Sequence, residues 1–196
     1  KAKDYLRAIE LFQKVPVDSL YYEAGLEQIG ECYVLLAKKA GKANAEETAK
    51  YLEKGRSALL GCLEQVKKPS PVAKILERRK LLKAAAVYRL STIDLWEGKE
   101  NYAACLERTD GFIEKFPEAV MLHPYVALQR VRCLAWTGEL GKAHGELRTL
   151  EKLAGDMEDK EAGEKLLDYG RDLVFRSYAE QAGRLGEEAS QKEALA

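Results

Sequence analysis

Few residues in this chain are of a type and spacing that could do chemistry. Only two histidines occur, His123 just before Pro124 and His144 beside Ala143, and neither has a nearby second group to complete an acid–base pair or a metal site. Structural or solvent-facing roles are expected for both. The four cysteines, Cys32, Cys62, Cys105 and Cys133, are far apart and form no C-x-x-C pair, so neither a structural zinc site nor a redox dithiol is written here. Each lies in an apolar helical stretch, which predicts buried free thiols suited to a reducing compartment. Carboxylates are abundant. Glu27 and Glu31 stand four apart, one helical turn, where a pair could bind a metal, share a proton or meet a partner's cation; a solvated helix face explains them more simply. There is no phosphate-binding glycine loop, no dinucleotide fingerprint, no H-E-x-x-H and no calcium loop. No catalytic residue, metal or cofactor is expected, and the chain does not read as an enzyme.

The elements that would carry these residues are helices. Apolar residues recur at threes and fours along most of the 196 residues, and period-two alternation is missing, so the fold class is all-α. Eight segments are predicted. The first, about Lys3 to Val15, carries Leu6, Ile9 and Phe12 and stops at Pro16; the second runs from an Asp18 or Ser19 cap to about Ala40, with Leu26, Ile29, Tyr33 and Leu36 in its stripe. The third opens at Asn44, with Glu47 completing a capping box, and ends at the Pro69-Ser70-Pro71 break. That break, near 67–71, is the expected internal boundary. A fourth, about Val72 to Glu97, carries Ile75, Leu82, Ala86, Leu90, Ile93 and Trp96; a fifth spans Asn101 to Phe116. The sixth, from Met121 or Pro124, shows Ala127, Val131 and Leu134, and the seventh shows Leu140, Ala143, Leu147 and Leu150. The last, about Lys160 to Gly183, has Leu166, Leu173, Val174 and Tyr178, with Gly163 and Gly170 placed for a neighbouring backbone to approach closely. Residues 186–196 read as a frayed tail.

Charge narrows the partner class. With 32 basic and 32 acidic side chains, no net field draws the chain to a polyanion or an anionic bilayer. The local exception is Lys74 to Arg89, where six basic residues face one acidic, Glu77. No apolar run approaches the ~20 residues of a membrane span, and no signal peptide is visible. The first residue is Lys1, so the chain is expected to be an excerpt of a longer protein, and its compartment is open, with the cytoplasm favoured over the periplasm or cell envelope.

Short-linked helices with one apolar stripe each must bury those stripes on their chain neighbours, which leads to stacked helical hairpins. Leu26-x2-Ile29-Gly30-x2-Tyr33 has the first-helix spacing of a tetratricopeptide repeat, a unit of about 34 residues. Ala8 and Phe12 sit at the A-x3-F spacing of its second helix, as do Ala143 and Leu147, and Tyr102, Cys105 and Pro117 follow the same pattern. The chain therefore resembles the tetratricopeptide family over most of residues 1–185, with an irregular period and an insertion around Ala40 to Glu47. That resemblance implies an α-solenoid of about four hairpins in a right-handed superhelix, acting as a protein-interaction scaffold that holds a partner peptide or helix in a concave groove. Mapped from the aligned first helices, the groove positions are Ala24, Glu27, Glu31 and Val34 in one unit, and Tyr125, Leu128, Arg132 and Trp136 in another. Glu27 and Glu31 stand where chaperone-binding members place cations, which argues against a chaperone-tail adaptor. Two other readings stay open: an accessory helical region of a larger enzyme or envelope/secretion assembly, and a weak nucleic-acid or anionic-surface binder through the basic helix 74–89.

Overall fold

The computed structural model describes the backbone of residues 2–194 and the side chains of residues 4–41 and 43–186. Among the described residues there are nine α-helices and no strand: α1 (Ala2–Phe12), α2 (Tyr22–Ala40), α3 (Ala45–Val66), α4 (Ala73–Glu97), α5 (Tyr102–Arg108), α6 (Phe112–Lys115), α7 (His123–Trp136), α8 (Leu140–Gly155) and α9 (Lys160–Ala194). None is long and apolar enough to cross a membrane. The helices group into two compact units, one ending at Leu122 and the other beginning at His123. The Pro69–Pro71 break, the boundary expected from sequence, lies within the first.

In the first unit α1 packs on α2, α2 on α3, α3 on α4 and α4 on α5, and α2 also reaches α4. Ile9 of α1 enters a core cluster with Ile29, Cys32, Tyr33 and Leu36 of α2. A second cluster joins α2, α3 and α4 through Ala37, Leu52, Leu59, Cys62, Ala86, Leu90 and Ile93. The tightest approach is between α2 and α3. A methyl built on Gly30 would stand 2.4 Å from Leu59 Cγ, and one built on Gly55 would stand 3.4 Å from the Gly30 carbonyl oxygen and 3.3 Å from Tyr33 Cβ. Two facing glycines thus let the helices close until a leucine fills the space a side chain would need.

Local signals explain some helix ends. The Asn44 side chain accepts the Glu47 backbone N–H at 3.2 Å and donates its amide to the Glu47 carboxylate at 2.7 Å, so α3 opens where the capping pair stands. At the start of α2 the expected cap slips: Ser19 Oγ accepts from the Tyr21 N–H, and the helix begins at Tyr22. The single segment expected over Asn101 to Phe116 is broken. Buried Thr109 turns its hydroxyl back to the Cys105 carbonyl at 2.7 Å, and Gly111 takes φ 58, a left-handed conformation that ends one helix and starts the next. Phe112 and Phe116 remain buried, their ring centroids 4.9 Å apart.

In the second unit α7, α8 and α9 each pack on the other two. Ala127, Val131, Leu134, Leu140, Ala143 and Leu150 are buried as their spacing predicts, with Leu173 and Val174 from α9. Two glycines of α9, Gly163 and Gly170, permit close contact. A methyl on Gly163 would lie 2.4 Å from the Ala154 carbonyl oxygen, and one on Gly170 2.9 Å from Leu150. Beyond Ser177 the described side chains of α9 are exposed, Tyr178 included, although that residue fits the apolar stripe. The helix passes Gly183 and Gly186 and its backbone stays helical to Ala194; of the expected frayed tail, residues 195–196 lie outside the described residues.

Candidate functional site

Charged side chains make two different arrangements, one in each unit. On α2, Glu23, Glu27 and Glu31 fall at i, i+4 and i+8, which stacks three carboxylates on one face. That face meets α4. Arg89 places Nη1 2.8 Å from Glu27 Oε1 and Nη2 2.6 Å from Glu31 Oε2, bridging the two. The Glu27 contact lies off the axis of a hydrogen bond, so it acts through charge. Arg79 donates from Nε to Glu23 at 2.8 Å and closes a second contact to the same oxygen through Nη2. Arg78 stands 3.7 Å from Glu23, donates to the Leu20 carbonyl and lies over the Tyr21 ring.

Most of the arginine charge of the 74–89 stretch is thereby turned inward against α2. Lys80 pairs with Glu77 at 2.9 Å, and Lys83 stands 5.9 Å from the Phe116 ring centroid.

Burial sets the electrostatics here. Glu27 is 3% exposed, and loss of hydration raises its pKa above the ordinary 4.5; Arg89 and a 2.7 Å hydrogen bond from Gln28 work against that rise, while Glu31 adds to it. The Cys62 thiol is pushed up to about 12, first by burial and then by the charges of Glu27 and Glu23. At neutral pH it carries no thiolate with which to attack or to bind a metal. All four cysteines are buried and free.

A second ionic cluster in the first unit was not singled out from the sequence. Asp94, 1% exposed, accepts Arg56 of α3 at 3.0 Å and Arg108 of α5 at 2.8 Å, and Arg56 also reaches Glu97 at 2.6 Å. A carboxylate set between Ile93 and Leu95 on the core face of α4 was the available signal, since such a group must find cations once buried.

The second unit presents Tyr125, Leu128, Arg132 and Trp136 along α7, all half-buried. Leu128 is turned to α9, 3.5 Å from where a Gly170 methyl would lie. The Arg132 guanidinium sits 4.2 Å from the Trp136 ring centroid, a cation–π stack one helical turn long. Its Nε is buried without a hydrogen-bond partner, and among the described residues no carboxylate pairs with it. Its neighbour Arg130, by contrast, bonds Glu146 of α8 at 2.6 Å. His123 is buried and His144 exposed.

The six candidate residues are thus divided: Glu27 and Glu31 are engaged by Arg89 inside the first unit, and the other four share α7 in the second. The described residues define an all-α protein whose helices pack within each of two units. No protein-family model matches the chain, and no curated protein or solved structure matches it.

Proposed function

We propose that the chain is a tetratricopeptide-like interaction scaffold whose second unit receives a partner polypeptide on the α7 surface formed by Tyr125, Arg132 and Trp136. The observation that carries this reading is Arg132: a half-buried guanidinium 4.2 Å from an indole ring centroid, with no carboxylate paired to it among the described residues. Arginine, tryptophan and tyrosine are the side chains that most often anchor interfaces, and a pre-oriented guanidinium loses little freedom on binding. Packing of chain neighbours from α1 to α5 in the first unit and from α7 to α9 in the second, with the close Gly30–Leu59 approach, supports the hairpin-repeat reading. In this reading Glu27 and Glu31 hold α2 to α4, and partner contact rests on α7.

The test is a photo-crosslinking side chain at Tyr125 of the full chain, with exposed His144 as the control position. Polypeptide adducts specific to position 125 and reduced about tenfold by Arg132→Glu are expected. Adducts equal at both positions, or unaffected by that substitution, would remove the reading.

A further inference from the structure

Arg132 differs from the other paired arginines of its unit. Arg130, Arg171, Arg176 and Arg184 each meet a carboxylate, at 2.6, 3.0, 2.9 and 3.6 Å. Arg132 meets none among the described residues. Half-buried, it has lost part of its hydration with only the Trp136 indole in exchange.

Its three nitrogens are not equivalent. Nε is buried with no hydrogen-bond partner, while the two Nη groups, likewise unbonded among the described residues, keep contact with solvent. The indole, 4.2 Å away from centroid to guanidinium, screens one side of the cation from water. What stays open is a fork of Nη donors, the geometry that the two oxygens of a carboxylate accept together.

Charge selects among anions. Residues 123–196 carry fourteen acidic and eleven basic side chains, so the unit as a whole repels a polyanion. One unpaired guanidinium balances one negative charge, which matches a carboxylate and leaves a phosphate dianion half-compensated. A chain-terminal carboxylate is captured in a nest of free backbone N–H groups. Helix α7 is continuous from His123 to Trp136, so the N–H groups around Arg132 are spent on the preceding turn. An Asp or Glu side chain needs no such nest.

We propose that Arg132 receives one internal Asp or Glu side chain of the partner polypeptide, its carboxylate taking the two Nη groups end-on beside the Trp136 ring. This rests on the reading of α7 as the partner surface and adds the chemistry of the contact.

The experiment selects short random peptides, amidated at the C-terminus, on the full chain carrying the photo-crosslinking side chain at Tyr125. Crosslinked peptides are expected to share an Asp or Glu, and changing that residue to Asn or Gln is expected to weaken binding at least about tenfold. Arg132→Gln is expected to weaken the parent peptide by a similar factor and the amide peptide no further. The peptide change leaves the protein untouched, so it tests the contact even where Arg132→Gln does not fold. Peptides that crosslink at position 125 without a shared acid, or whose acid is replaced without loss, overturn the inference and leave the α7 surface standing. So does a library with free C-termini that crosslinks where the amidated one does not, or tighter binding when phosphoserine replaces the acid. No crosslinking at position 125 by either library removes the α7 reading itself, and this inference with it.

Discussion

The α2–α4 interface and the α7 surface start from similar material and end differently. Each sets an arginine beside side chains spaced by turns along one helix. In the first unit three carboxylates meet three arginines and are absorbed into the packing, with Glu27 and Glu23 nearly out of solvent. In the second, Arg132 has an aromatic ring beside it and, among the described residues, no acid paired to it. A charge consumed inside the fold contributes to stability and register, while a charge left without a partner is available to another molecule. Burial and pairing, more than residue type, separate the two roles.

That contrast breaks first at Arg89. Arg89→Leu leaves Glu27 buried beside Glu31 with no cation between them, and a loss of about 3–5 kcal/mol in denaturant unfolding is expected. A loss below about 1 kcal/mol would mean that the interface is loose enough to hydrate Glu27. Next is Gly30→Leu, where the new side chain collides with Leu59 at the close α2–α3 approach; about 3 kcal/mol of destabilisation by overpacking is expected, and an unchanged melt would contradict the α2–α3 packing.

A smaller effect comes from the pH dependence of Glu27. Its folded pKa is raised above 4.5, so between that value and the raised one the folded state binds more protons than the unfolded state, and its contribution to stability declines as pH increases. Glu27→Gln cannot ionise. Its stability relative to the parent chain is therefore expected to improve as pH rises above 4.5, by no more than about 1.4 kcal/mol per pH unit. The opposite slope would show that Arg89 outweighs the burial. Smallest is Arg132→Gln, expected to change the unfolding free energy by no more than about 0.5 kcal/mol, since no ion pair among the described residues is lost. A large drop in its melt would place Arg132 among the structural arginines.

Helix positions were largely legible because they follow from local chemistry. Asn44 and Glu47 cap α3 from three residues apart, and Ala127, Val131 and Leu134 are buried at helical spacing. The break between α5 and α6 was less visible, since it depends on a buried threonine hydroxyl replacing helix geometry at Thr109. The site was only half legible. Tyr125, Arg132 and Trp136 could be placed on one helix by counting, but the same counting put Glu27 and Glu31 on an open face, because it cannot see a helix about sixty residues away supplying Arg89.

Asp94 shows the same division: its position inside an apolar stripe demanded a partner, yet two cations from different helices answered it. Periodicity, caps and small residues at close contacts are properties of a few neighbouring residues, and the chain carries them by itself: an all-α class, the helix register, and glycines where helices close. Which charges are neutralised and which stay available depends on groups far apart in sequence meeting within about 3 Å in a medium with little water. Only the packed structure decides that, because the strength of a charge pair is set by separation and burial, and neither is written along one helix.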